Sequence, residues 1–505
     1  MTSVSQTGGS AVRARLAQLT RLTFGYSLAS LAGPIFTILL TPLYLRVLTP
    51  GDYAVLGTVT TLGILMLTLG TLGLNAAVAV FFYDGDEAHS RQVVTTAASV
   101  GVLWSLLVAL VVALTARPLA AFSLGSVSQA ILLYLAAFNL PFAVLYAIIQ
   151  ASLRLQMAVK RANILSLAYL GLTVSLNVLF VLVLRWGVLG IQLTTVIVTL
   201  GLMAAGLAMT WGEWHWPKAA LVRPLVRAGL PFLPNSLSFW ALAYVDRLLL
   251  PAFAVPLGER GLYETANKLA SMLTLLTVPF QNAWGPLALS IREEPSAPRT
   301  YSKVLTYFTI VSLGLVLAMG LFAHEIMVLL AFLIGKPDYI PSAIYVAPLS
   351  YIAVANGIGV AVGVGAYIAK RTSVFGWTTM IGAALNLLLN LLLIPRFGAL
   401  GAAWATALGY AVVPVALYVA AQRVYSVPFE VWKVLLALGV QAALMLSGTL
   451  FEIGNLWLSV AVKLALLGLY AVALLALHVV EPSEWRAIMQ MLGRPRAMLA
   501  TMVRR

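Results

Sequence analysis

Five charged residues stand inside stretches otherwise apolar enough to fill a lipid bilayer: Asp246 and Arg247 in one, Glu264 and Lys268 in the next, and Lys463 alone in the last, where it reads as a local structural feature. A charge at the middle of a bilayer costs about 2.5–3.5 kcal/mol even on a lenient scale, so such residues are rarely ornamental. Glu264 and Lys268 are four positions apart, the spacing of an intrahelical ion pair. Asp246 and Arg247 are neighbours whose side chains leave a helix in different directions. That arrangement predicts that one of them finds its partner elsewhere or faces a watery cavity. Arg46 closes the first apolar stretch at the corresponding level. Arginine binds the oxygens of an anion in pairs through its planar fork, and lysine adds a point charge. Arg46, Arg247 and Lys268 are therefore candidates for holding an anionic group, and Asp246 and Glu264 for binding a coupling proton or sodium ion. The competing reading is that Arg46 snorkels to the interface while the other four neutralise one another.

Other sets of residues offer less. Asp84, Asp86 and Glu87 with His89 resemble a metal-binding acidic motif, but they sit in a short connection and read as a solvated charge run. His89, His215, His324 and His478 are too scattered to give ligand spacing, and the chain has no cysteine, so no metal site is expected. No phosphate-binding glycine loop and no nucleophile elbow is present. Eight amides, Asn75, Asn139, Asn177, Asn235, Asn267, Asn282, Asn356 and Asn386, fall within apolar stretches. Most such groups join helices, which leaves a minority for a ligand.

The elements that carry these residues follow from composition. Of 505 residues 61% are hydrophobic and 9% charged. Soluble domains average about 25% charged residues, so a water-soluble globule is excluded. A transmembrane helix needs about 20 apolar residues. Hydropathy predicts an all-α membrane protein of fourteen spans, near 22–48, 53–82, 92–116, 128–153, 162–184, 188–211, 229–255, 259–290, 303–325, 341–369, 373–394, 398–422, 430–451 and 456–479. No polar interval between Arg21 and Val480 is long enough for a soluble domain, and residues 1–20 lack the pattern of a removable signal peptide. Lysine and arginine alternate from connection to connection: Arg154, Lys160 and Arg161, or Lys218, Arg223 and Arg227, on one side, against Arg117 or Arg185 alone on the other. This is the positive-inside pattern, and it predicts that both termini are cytoplasmic. The net charge of +15 is thus topological, and nucleic acid is not an expected partner.

The sequence also repeats. Thr49-Pro50-Gly51-Asp52 opens one span and Pro256-Leu257-Gly258-Glu259 another; Lys160-Arg161 is matched by Lys370-Arg371, and Arg185-Trp186-Gly187 by Arg396-Phe397-Gly398. The three matches occur in order at nearly one spacing. They predict two pseudo-symmetric six-helix lobes, residues 21–211 and 229–424, plus two C-terminal helices within 425–480. The polar tail is 1–20. The linker 212–228 and the tail 481–505 are basic and hold Trp211, Trp214, Trp216 and Trp485 in or beside them. Both read as anchors at the lipid headgroups, with docking of a partner protein as the alternative. Parallel repeats of this kind place a substrate between the lobes and move it by rocking them.

Leu39–Tyr53, with Gly229-Leu230-Pro231, Asp246-Arg247, Gly261-Leu262-Tyr263, Ala266-Asn267-Lys268 and Trp284-Gly285-Pro286 in that order, resembles the Wzx-type polysaccharide flippases. These belong to the superfamily of multidrug, oligosaccharidyl-lipid and polysaccharide exporters. The resemblance implies a protein of the cytoplasmic (inner) membrane that is not an enzyme. It would move an oligosaccharide on a polyprenyl diphosphate from the cytoplasmic to the outer leaflet for surface polysaccharide biosynthesis. Arg46, Arg247 and Lys268 would then hold the diphosphate, and their engagement would favour protonation of Asp246 and Glu264. Expected partners are this lipid, the surrounding membrane lipids and other polysaccharide-assembly proteins. No cofactor is expected beyond a proton or sodium ion. The alternative is a cation-coupled multidrug extruder. Such transporters generally carry an acid inside the first lobe, whereas Asp52, Asp84, Asp86 and Glu87 all lie at connections. A membrane glycosyltransferase or polymerase fits less well without a large external loop or soluble domain.

Overall fold

In the computed structural model residues 40–450 and 455–480 are described, and within them the chain is helical with no β-strand. The polar tail 1–20, most of the first expected span and the basic tail 481–505 lie outside the described residues. Among the described residues ten helices are long and apolar enough to cross a membrane, so the chain is a multi-pass membrane protein. In a bilayer every backbone N–H and C=O must be satisfied within the protein, which is why apolar sequence of this length folds as helices. The outer faces carry the lipid-facing residues: Leu103 is 69% and Leu114 75% exposed.

The first half begins with a helical segment ending at Val47. Next come α1 (Pro50–Thr71) and α2 (Leu74–Phe81). The start of α1 is dictated locally. Thr49 accepts from the Asp52 N–H at 3.2 Å, Asp52 accepts from the Thr49 N–H at 2.9 Å, and Pro50 occupies the first turn, where its missing N–H costs nothing. Then follow α3 (Glu87–Ser123), α4 (Ala130–Leu155), α5 (Val159–Asn177) and α6 (Gly187–Met209). The linker forms the short helix α7 (Ala219–Gly229), with Leu225 buried and Arg223 and Arg227 exposed.

In the second half, α8 (Phe232–Ala252) and α9 (Leu257–Ala270) form a hairpin, followed by α10 (Thr274–Ser290), α11 (Ala297–Leu321), α12 (Ala323–Ile334) and α13 (Ala343–Val362). The single span expected over 259–290 is thus two helices, because the chain takes a 3₁₀ turn at Ser271–Leu273. The spans expected over 373–394 and 398–422 are two helices, together α14 (Ser373–Gln422), that meet at a sharp kink at Gly398 (φ 57°, ψ −137°). Gly187, its repeat partner, also has φ 57°, a value that glycine reaches without steric cost. The matched motifs Thr49–Asp52 and Pro256–Glu259 likewise open α1 and α9 at equivalent positions.

The last described helices are α15 (Val431–Leu450) and α16 (Leu456–Ala476). Lys463 on α16 is not isolated, as its surroundings in sequence suggest. It donates to Glu325 of α12, which also accepts from the Ser459 hydroxyl at 2.9 Å. Both charged side chains are 14% exposed. Removing one partner of a largely buried pair leaves the other uncompensated and costs on the order of 3 kcal/mol. Lys463→Met is therefore expected to lower the melting temperature of the purified protein clearly. The double variant with Glu325→Gln should recover most of the loss; equal loss in single and double variants would show that the pair does not hold α16 in place.

Candidate functional site: a charged cavity between the halves

The α8–α9 hairpin brings four of the five charged residues together. Two rungs cross it at the same separation in sequence: Tyr263 donates through its hydroxyl to Asp246, and Arg247 donates from Nε to Glu264 at 2.6 Å. The guanidinium also donates from Nη1 to Asp246 at 2.9 Å and to the Ala243 carbonyl at 2.7 Å. The rings of Tyr244 and Tyr263 lie 5.2 and 5.6 Å from its central carbon, close enough for cation–π attraction. Asp246, Arg247 and Glu264 are all buried.

Two expectations are corrected here. Neighbouring Asp246 and Arg247 do pair, because the long arginine side chain curls back while the Arg247 N–H also donates to Asp246 at 3.0 Å. Arg247 does also find the expected partner elsewhere, Glu264, and lines a cavity. Glu264 pairs with Arg247 across the hairpin rather than with Lys268 one turn along. Lys268 is half-buried and makes no hydrogen bond or ion pair with its side chain among the described residues.

Arg247, Glu264 and Lys268 line a cavity of ≈ 390 Å³. Its other wall comes from the first half: Tyr44, residues of α1 such as Gly57, and residues of α5 such as Thr173. Gly57 makes room for the acid, since a Cβ there would lie 2.5 Å from the Glu264 carboxyl carbon. Asp246 lies behind the guanidinium, out of the lining. Arg46 is exposed and does not line the cavity. Of the eight amides singled out in sequence, only Asn177 and Asn267 line it.

Next to the cavity the halves are clamped at the end where α1 and α9 begin. Arg260 donates to the Ser123 carbonyl at the end of α3 (2.9 Å). Lys336 and Tyr339 donate to the Leu48 carbonyl at 2.8 and 2.9 Å. Helix C-termini present unpaired carbonyls and partial negative charge, so cations and hydroxyl donors suit them. Gly261 packs directly on Pro50, whose oxygen would lie 1.6 Å from any Cβ. Sequence reasoning did not single out Arg260, Lys336, Tyr339 or Gly57 for these roles. Their partners are backbone atoms or groups far away in the chain, which leave no local signal.

The chain is thus a helical membrane bundle with a charged cavity between two clamped halves, and solved structures share its fold. The fold matches an inward closed structure of the lipid II flippase MurJ with TM-score 0.70 at 12% identity, over 90% of this chain and 98% of that one. It also matches an inward-facing multidrug resistance MATE family transporter of the MOP superfamily, with TM-score 0.60 at 16% identity, over 77% and 94%. No curated protein sequence matches the chain. Residues 19–291, more than half of the chain, match the polysaccharide biosynthesis protein family, and the chain belongs to that family.

Proposed function

We propose that this chain is a flippase that carries an oligosaccharide linked to a polyprenyl diphosphate from the cytoplasmic to the outer leaflet of the inner membrane. In this reading both termini are cytoplasmic, and the two halves act as lobes that rock about the cavity. The observation that carries the proposal is the cavity itself, which places Arg247 and Lys268 on one wall between the halves of a chain from a polysaccharide biosynthesis family. Lys268 supplies a cation that makes no hydrogen bond or ion pair among the described residues, and Arg247 a guanidinium already held in orientation. Arg46 has no place in the binding site in this conformation.

Charge balance suggests how transport is driven. Asp246 and Glu264 offset Arg247 and Lys268, so the ionised cluster is neutral and a diphosphate entering it meets two carboxylates as well as two cations. A proton on Glu264 would remove one of those negative charges and release Nε of Arg247 for phosphate. Proton and anionic lipid would then each favour binding of the other.

Deletion of the gene tests the function. The cell is expected to lose its surface polysaccharide and accumulate the lipid-linked unit on the cytoplasmic leaflet. Normal polysaccharide together with heightened sensitivity to cationic drugs would instead favour a multidrug extruder.

A further inference from the structure

Across the cavity from Arg247 and Lys268, one face of α5 presents Tyr169, Thr173 and Asn177 at successive four-residue steps. Thr61 of α1 lines the same space. Thr61, Thr173 and Asn177 are 0%, 6% and 1% exposed, yet Oγ1 of each threonine and Oδ1 of Asn177 have no hydrogen-bond partner among the described residues. The amide of Asn177 is not free to turn, because its Nδ2 donates to the Thr173 carbonyl at 2.7 Å. Its oxygen is thereby fixed as an acceptor. Directly after Asn177 the helix widens into a π-helical stretch, Val178–Val183, a rare departure that is frequent at functional sites. Buried polar atoms are nearly always hydrogen-bonded, and these three stand around one cavity, where a ligand group with donors and acceptors would satisfy them.

We infer that this wall is a subsite for the sugar of the transported lipid, an inference that rests on the function proposed above. Asn177 Oδ1 accepts from a sugar hydroxyl or an N-acyl N–H. The hydroxyls of Thr173 and Thr61 donate to or accept from further ring substituents, and the phosphates lie toward Arg247 and Lys268. None of these atoms carries charge, so the wall contributes little to binding the diphosphate and much to choosing the glycan. A site built to hydrogen-bond a particular substituent discriminates strongly against ligands that lack it, because its own polar groups are then left unpaired.

The test measures binding to the full chain in lipid nanodiscs with two probes: bare polyprenyl diphosphate, and the glycosylated lipid extracted from cells that lack the gene. Wild type is expected to bind the glycosylated lipid at least about tenfold more tightly, the equivalent of one good hydrogen bond. Asn177→Leu and Thr173→Val should each remove most of that preference while leaving affinity for the bare lipid unchanged. Thr173→Val keeps the side-chain shape, so unchanged melting of that variant guards against a folding artefact. A wild type with no preference, or variants that lose both probes alike, would overturn the sugar subsite. Failure of wild type to bind even the bare diphosphate would instead overturn the proposed function, and this inference with it.

Discussion

Cells carrying Arg247→Ala at native expression are expected to lose surface polysaccharide export by at least about thirtyfold, because truncating one member of a buried, hydrogen-bonded charge cluster typically costs 2 kcal/mol or more. Arg247 is the hub of the cluster, bonded to Asp246 and Glu264 and flanked by Tyr244 and Tyr263. Its loss also leaves two acids facing each other across the hairpin, so part of the defect could come from folding. The double variant with Glu264→Gln separates the two effects. It should restore the amount of protein in the membrane without restoring export. Arg247→Lys should be intermediate, since charge remains while the planar fork is lost. Normal export by Arg247→Ala would remove the cationic cavity from the mechanism.

The identity of this cluster was legible in the sequence because charge inside an apolar stretch is conspicuous. Its wiring was not. The spacing of Glu264 and Lys268 pointed to a pair on one helix, but Arg247 reaches Glu264 from the neighbouring helix through Nε at 2.6 Å. Lys463 was visible as a lone charge, while Glu325 lies far away in sequence and meets it only in the folded bundle. The helix start at Thr49–Asp52 and the repeat around Gly187 and Gly398 were legible because both are local signals, and the backbone carries them out at those residues. The break in the helix at Ser271–Leu273 was hidden, since the residues there are compatible with an unbroken helix. Clamps such as Arg260 on Ser123 involve a backbone carbonyl, which any residue supplies.

The second large effect concerns movement of the halves. A Cβ built on Gly51 would lie 3.3 Å from Cδ2 of the Leu257 side chain, so the starts of α1 and α9 are in contact in this conformation. The chain has no cysteine of its own, and a Gly51→Cys, Leu257→Cys variant therefore carries a unique pair. Oxidation should cross-link it and hold the clamped end shut. Transport is expected to fall to background on cross-linking and to recover on reduction, while either single variant is insensitive to oxidant. Full transport by the cross-linked protein would show that this end does not open during the cycle.

The central claim is that the cavity between the halves moves a diphosphate-linked glycan across the bilayer, and purified protein in liposomes tests it most directly. The glycosylated polyprenyl diphosphate is placed in both leaflets, and the fraction open to an impermeant enzyme that cleaves only the outer pool is followed over time. The account predicts that wild-type protein exposes the whole pool, whereas empty liposomes and liposomes with Arg247→Ala expose only the outer half. Exposure no faster with wild type than in empty liposomes, in a preparation shown to be folded, under an imposed proton or sodium gradient of either direction, would contradict it.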